Sequence, residues 1–313
     1  MFAIEKINMG IYKKILINKE KKQKSFALLI DPDKQDKKQL LNIIKKAENA
    51  KTDYFFVGGS LLTNDSLDLC INTLKENSEI PVVLFPGNAM QVHNKANGIL
   101  FLSLISGRNA DMLIGKQVIT APILKQSSLE VLSTGYILID SGTPTTVSYM
   151  SNTTSIPSDK DTIAACTAMA GEMLGLRLIF MDGGSGAKNP ISEKMIKTVR
   201  KSINAPLIIG GGISSGKKAI ANCKAGADII VVGNAIEKDD GFFGKIGMHS
   251  STVDGAASLT IGGTTYSVTA SRDGSGPLFG AGFEDGDSRF SIIHYVDIGD
   301  TSDFTFISYG WLF

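Results

Sequence analysis

The chain predicts an α/β fold, and within that class a (β/α)8 TIM-like barrel, on three observations. Over roughly the first 240 residues, eight short apolar runs rich in β-branched residues alternate with longer stretches of helical spacing. The runs are nearly continuous in hydrophobicity, as parallel strands covered on both faces read. The glycine-rich loops follow the sixth, seventh and eighth runs, whereas a doubly wound sheet would carry its glycine fingerprint after the first.

The first strand is "FALLID" (26–31), and the proline after it stops the run and leaves an acid at the tip. "KQLLNIIKKAENA" (38–50) follows as an amphipathic helix, with Leu40, Leu41, Ile44 and Ala47 on one face and lysines opposite. The next strands are "DYFFVG" (53–58), "PVVLF" (81–85), "GILFLSL" (98–104) and "GYILID" (135–140). "DKDTIAACTAMAGEMLG" (159–175) opens with acids suited to a helix start. "RLIFMD" (177–182), "PLIIGG" (206–211) and "DIIVVG" (228–233) complete the set. Eight such units over this length match a barrel, typically about 250 residues long.

Near residue 240 the text changes. Residues 241–313 hold thirteen glycines and three basic residues (Lys245, Arg272, Arg289) against eight acids, a net charge of −5 that leaves +6 on the first 240. Alternating runs such as "SLTIGGTTYSVTAS" (258–271), "FSIIHYVDI" (290–298) and "FTFISYGWLF" (304–313) predict antiparallel strands, with a hairpin turn at Gly262-Gly263. The expected organisation is a barrel over 1–240 and an atypical β-rich C-terminal segment over 241–313, standing where a barrel's final helix would be.

The overall charge of +1 gives no argument for nucleic acid. No apolar run approaches the roughly 18 to 20 residues needed to span a bilayer; "ILFLSLI" (99–105) is far too short. The N-terminus does not read as a signal peptide, because it runs into "KKILINKEKKQK" (13–24) without a sustained apolar stretch. That lysine-rich run reads first as a solvated helix and second as a contact with anionic lipid headgroups. Cys70, Cys166 and Cys223 form no CxxC pair and read as buried free thiols in a reducing cytosol. His93, His249 and His294 form no metal-ligand cluster, and His93 reads as a surface residue.

Chemistry is expected where the strands end. "GGSGA" (183–187), "GGGIS" (210–214) and "VGNAI" (232–236) fall after three successive strands, which places all three at one rim of a barrel. Backbone N–H groups in such loops, with the start of the following helix, bind phosphate oxygens. "LLIDPDK" (28–34) and "VGGSLLT" (57–63) bring Asp31 and Ser60 to the same rim. One carboxylate and one hydroxyl hold Mg²⁺ when a substrate phosphate completes the oxygen set; the alternative role of Asp31 is a helix cap or turn acid. Asp182, at the edge of the glycine cradle, is placed to accept a proton from a hydroxyl of the bound ligand; its alternative role is to hold the loop through hydrogen bonds.

"LLIDPDK", "FFVGGSLLT", "PVVLFPGN", "GYILIDSGTPTTV", "FMDGGSGAKNPIS", "PLIIGGGISSG" and "GADIIVVGNAIEKD" resemble, in order, the geranylgeranylglyceryl phosphate synthase family in its bacterial, Bacteroidetes-type branch, over residues 5 to 240. The resemblance implies a modified (β/α)8 barrel. It implies a Mg²⁺-dependent, cytoplasmic transferase of ether-lipid biosynthesis that joins sn-glycerol 1-phosphate to a prenyl diphosphate and releases diphosphate. Asp31 and Ser60 match the family's magnesium positions. Phe180, Met181, Asp182, Gly183, Gly184, Ser185 and Gly186 match its glycerol phosphate segment, and Gly211, Gly212, Gly233 and Asn234 its remaining phosphate contacts. Asp182 stands where the family has an acid, often Glu, proposed to deprotonate the glycerol hydroxyl. Many members have Tyr where this chain has Phe180, so one hydroxyl contact to the glycerol phosphate is expected to be missing. Lys116 lies in the family's lysine-bearing helix region, near the diphosphate. Leu61, Leu62, Phe85, Pro86, Met90, Phe101 and Leu104 are expected either to line a prenyl groove or to pack in the core. Homo-oligomers, dimers or hexamers, are common in the family.

Two other readings remain open at this point. One is a phosphate-binding barrel that acts as an isomerase or lyase on a sugar phosphate. The other is a non-catalytic barrel whose β segment binds a partner or a glycan, as against an appended segment with no part in catalysis.

Overall fold

The computed structural model describes residues 9–89 and 91–233, together with the backbone of six strands between 251 and 311. The chain clusters into two compact units, Met1–Phe243 and Gly244–Phe313.

The first unit is a closed barrel of eight parallel strands. These are β1 (Ser25–Ile30), β2 (Tyr54–Val57), β3 (Val82–Leu84), β4 (Gly98–Leu104), β5 (Glu130–Leu138), β6 (Leu178–Asp182), β7 (Leu207–Gly210) and β8 (Ile229–Val232). Pairing of Ser25–Leu28 with Ile229–Val232 closes the ring between β1 and β8. All eight predicted runs are strands. β5 begins five residues earlier than "GYILID", because β4 pairs with it over seven positions from Gly98↔Glu130 to Leu104↔Tyr136.

The helices are α1 (Ile11–Glu20), α2 (Lys37–Asn49), α3 (Leu67–Asn77), α4 (Lys116–Gln126), α5 (Thr146–Ser151), α6 (Asp161–Met173), α7 (Glu193–Ser202) and α8 (Gly216–Ala225). Their starts follow the chemistry of the chain. Asp36 and Gln39 form a capping box at α2, and Ser192 and Ser215 accept hydrogen bonds from the third residues of α7 and α8. α2 buries Leu40, Ile44 and Ala47 as its spacing predicts, while Leu41 stays exposed.

Two features make the barrel irregular. Among the described residues, β3 joins β4 through turns rather than a helix. After β4 the chain makes a π-helical turn, Asp111–Gly115, before α4. Phe101, Leu102 and Ser103 in the middle of β4 are only half-buried as a result.

The barrel interior is filled by Ala27, Tyr54, Phe56, Val83, Leu100, Leu132, Tyr136, Phe180, Ile208 and Val231, a packed core rather than a pore. α1 adds Ile11 and Ile15 to this cluster. Its first two N–H groups, on Ile11 and Tyr12, donate to the Glu130 carboxylate at the N-terminal end of β5, at 2.5 and 2.9 Å. The predicted solvated first helix therefore has one solvated face and one buried against the strands. Of the cysteines, only Cys70 is buried; Cys223 is half-buried and Cys166 is exposed on α6, so the expectation of three buried thiols is corrected. His93 instead pairs with Asp68 through Nε2, at 2.8 Å.

The second unit is an antiparallel sheet of six strands in sequence order: β9 (Ser251–Val253), β10 (Ala256–Ile261), β11 (Thr264–Arg272), β12 (Pro277–Asp285), β13 (Ser288–Tyr295) and β14 (Phe304–Trp311). Ile261 pairs with Thr264, the register the expected hairpin requires; Gly262 and Gly263 lie outside the described residues.

Candidate active site

The C-terminal ends of the strands surround a cavity of about 500 Å³. Asp182 is the last residue of β6 and is 8% exposed. Its Oδ2 accepts a hydrogen bond from the Tyr136 hydroxyl at 2.6 Å, and its Oδ1 accepts one from the Gly184 N–H at 2.8 Å. Burial pushes the carboxyl above the ordinary aspartate range, and these two hydrogen bonds pull it part of the way back. Burial, then the neighbouring carboxylate, hold the Tyr136 phenol well above its usual range, so it stays a protonated donor.

The glycines around Asp182 are required by close approach. Gly184 has φ +85°, and a Cβ there would lie 2.8 Å from Thr145 Oγ1. Gly211 has φ +79°, and its Cβ would lie 2.6 Å from the Gly183 N and 2.7 Å from Asp182 Oδ1. The loops after β6 and β7 thus touch backbone to backbone around the carboxylate. Lys218 fixes the helices that follow them: its Nζ donates to the Ile191 carbonyl and pairs with Glu193, each at 2.8 Å.

Across the cavity, Asp31 caps the 3-10 turn Pro32–Lys34 by accepting from the Asp33 N–H at 3.2 Å, and its other oxygen pairs with Lys34 Nζ at 3.2 Å. Asp33 ties the loop after β2 to this turn, accepting from Thr63 N–H at 2.5 Å, Thr63 Oγ1 at 3.0 Å and Ser66 Oγ at 2.6 Å. Burial works to raise the Asp33 carboxyl, but the hydrogen bonds from Ser66, Thr63 and Asn64 outweigh it and hold the group below its ordinary value. The side chain of Gln91 braces the neighbouring loop by accepting from Gly87 N–H and donating to the Gly59 carbonyl. The result is that Ser60 and Asp31 face one cavity.

The third wall is apolar. Ile99, Phe101 and Leu102 of β4, Met112 of the π-helical turn, and Val147 and Met150 of α5 line it, with Phe85 and Lys116.

Of the predicted site residues, Asp31, Ser60, Asp182, Ser185 and Gly233 line this cavity. Gly183, Gly184, Gly186, Gly211 and Gly212 lie in the loops beside it. Phe180 and Met181 are buried instead; the Phe180 ring stacks on Phe85 at 5.3 Å and meets Tyr136 edge-on at 5.4 Å. Asn234 and Met90 lie outside the described residues. Leu61, Phe85, Pro86, Phe101 and Leu104 line the cavity, and Leu62 does not. Sequence reasoning missed Tyr136, Asp33 and Gln91. Asp33 left a signal, as the second acid of "DPDK" facing the polar "TNDS" stretch.

Among the described residues, no group of three or more His, Cys, Asp or Glu side chains converges as a metal-ion cage. Asp31 and Ser60 bring a carboxylate and a hydroxyl, hard oxygen donors of the kind Mg²⁺ takes, to one side of the cavity, and both Asp31 oxygens are engaged by the Asp33 N–H and by Lys34. Among the described residues no helix is long and apolar enough to cross a membrane.

Residues 17–250 match the PcrB family. The chain is 58% identical over 229 residues to the geranylgeranylglyceryl phosphate synthase of Chitinophaga pinensis, covering 73% of this chain and 91% of that protein. It is 45% identical over 241 residues to the protein of the same name from Flavobacterium johnsoniae, covering 76% and 98%. Its fold is similar to the crystal structure of (S)-3-O-geranylgeranylglyceryl phosphate synthase from Thermoplasma acidophilum in complex with its substrate sn-glycerol-1-phosphate, with a TM-score of 0.72 and 30% identity over 76% of this chain and 96% of that one.

Proposed function

This chain belongs to the PcrB family, and we propose that it is a prenyltransferase that joins sn-glycerol 1-phosphate to a prenyl diphosphate, geranylgeranyl diphosphate first among them, through an ether bond. One observation carries this reading: a single cavity has a glycine-lined carboxylate at one side, the Asp31–Ser60 pair at another, and an apolar wall from β4 to α5 between them. An isomerase or lyase acting on a sugar phosphate would use the first of these and has no need of the apolar wall.

In this reading the loops containing Gly183–Gly186, Gly211, Gly212, Gly233 and Asn234 orient the glycerol phosphate through backbone N–H groups, other than those of Gly183 and Gly184, which donate to the Gly210 carbonyl and to Asp182. Asp182 accepts the proton of the attacking glycerol hydroxyl. The hydroxyl oxygen forms a bond to the first prenyl carbon as the bond from that carbon to the diphosphate oxygen breaks. Asp31 and Ser60 would hold Mg²⁺, which when bound supplies positive charge to the departing diphosphate. Lys116, on the same cavity, adds cationic charge toward that group. Phe85, Phe101, Leu102 and Met112 take the prenyl chain, where each buried CH₂ contributes about 0.8 kcal/mol of binding, and keep water from the allylic carbon. Holding both reactants in one cavity removes much of the entropic barrier to their encounter.

Incubation of the full chain with geranylgeranyl diphosphate, sn-glycerol 1-phosphate and Mg²⁺ tests the proposal. The expected product is the ether-linked geranylgeranylglyceryl phosphate with release of diphosphate. Folded protein that yields no product with prenyl diphosphates of any length overturns it.

A further inference from the structure

We propose that Tyr136 is the positioning residue of this site: its hydroxyl, 2.6 Å from Asp182 Oδ2, aims the carboxylate at the substrate hydroxyl from the buried end of β6. The inference rests on the reading of Asp182 as the proton acceptor.

The geometry gives the carboxylate two fixed donors, one per oxygen, Tyr136 from β5 and the Gly184 N–H from its own loop. Each oxygen keeps a further lone pair for a ligand. The β5–β6 register sets the phenol in place, because Tyr136 pairs with Phe180, two residues before Asp182. The ring is fixed by Phe85 at 5.9 Å and by Phe180, so the hydroxyl has little freedom to leave the carboxylate. Phe180, which brings no hydroxyl, is buried between these rings, so Tyr136 supplies the phenol donor of this carboxylate.

The surroundings of Asp182 are otherwise neutral. From β7 come the glycines 210 to 212, and from its own loop Gly183, Gly184 and Ser185. The charged groups that line the same cavity are Asp31, Lys34 and Lys116. None of these changes when Tyr136 does. A donated hydrogen bond favours the ionised carboxylate, so its loss leaves Asp182 protonated to higher pH.

The test is Tyr136→Phe in the full-length protein, assayed with geranylgeranyl diphosphate, sn-glycerol 1-phosphate and Mg²⁺ across pH. The ring and its packing are retained. The expected result is an acid limb of kcat/KM moved up by about one pH unit, with kcat at neutral pH reduced more than KM for glycerol phosphate is raised. In the Asp182→Asn background, Tyr136→Phe should cause no further loss. A 2,3-difluorotyrosine at position 136, a stronger hydrogen-bond donor, should move the limb the other way; this arm also serves if Tyr136→Phe does not fold. An unmoved limb in every variant that folds, or additive losses in the double variant, overturns the inference while leaving the prenyltransferase reading intact. Full turnover in Asp182→Asn would instead remove Asp182 as the base, and this inference with it.

Discussion

At position 211 a single methyl group separates a working cradle from a blocked one. The glycine sits at φ +79°, where an L side chain is strained, and a Cβ would fall 2.6 Å from the Gly183 N and 2.7 Å from Asp182 Oδ1. Backbone and buried carboxylate are both held, so neither can give way cheaply. Gly211→Ala is expected to raise KM for sn-glycerol 1-phosphate by at least about tenfold, as a misplacement of this kind does, with a smaller effect on prenyl diphosphate affinity; steady-state kinetics with each substrate varied in turn checks this. Asp182 itself carries a pH consequence. Its carboxyl is raised by burial in the fold, so the native state binds the proton more tightly than the unfolded chain does. Its contribution to stability therefore declines as pH rises from the ordinary aspartate range, about 3.9, through the raised native value. Residues of this kind differ in how well they can be read from sequence. Asp182 ends an apolar run and is followed by glycines, which marks it as a strand-tip acid in a bare loop. Tyr136 sits inside "GYILID" and reads as core; only the lateral pairing of β5 with β6 brings its hydroxyl to Asp182, and that pairing is not written in either segment alone.

Single elements follow the same division. The strands were legible because each is a short apolar run bounded by polar or glycine residues, and burial on both faces demands that pattern. The early start of β5 was not, since Glu130–Thr134 becomes strand by pairing with the long β4. Pro122 inside α4 and the π-helical turn before it also escape a reading based on periodicity. β7 and β8 show what locks such short strands at their N-terminal ends. Asp228, 6% exposed, accepts from Arg200 Nη1 at 2.9 Å, from the Leu207 N–H at 3.0 Å and from Lys24 Nζ at 3.3 Å. Those partners come from α7, from β7 and from the residue before β1, so one carboxylate fastens three elements where the barrel closes. Asp228→Ala leaves a buried N–H without its acceptor and the Arg200 guanidinium without its counterion. It is expected to cost roughly 3 kcal/mol, the lower end for breaking a buried pair because both cations can regain water. Urea unfolding monitored by circular dichroism checks the figure, and a loss below about 1 kcal/mol would place Asp228 among ordinary surface acids.

The molecule as a whole divides where the composition does. The chain passes from a cationic α/β part to a shorter acidic, glycine-rich part near residue 240, and the contacts separate into Met1–Phe243 and Gly244–Phe313. Every described residue assigned here to substrate, metal or proton transfer lies in the first unit. The family match ends at residue 250, and the Chitinophaga pinensis relative is covered over 91% of its length by 229 residues of this chain. Most of that relative thus corresponds to part of this chain, and the six-stranded meander lies beyond the family match. A meander of six strands pairs its backbone groups from each strand to the next. The two units are therefore expected to be separable in function. A fragment ending at Ser250, where the family match ends, should fold cooperatively and form the ether product with kcat within about threefold of the full chain, a change in the transition-state barrier of well under 1.4 kcal/mol. The measurement is a side-by-side product assay with thermal unfolding of both proteins. A folded fragment that turns over a hundredfold slower would mean that the β-rich unit takes part in the reaction.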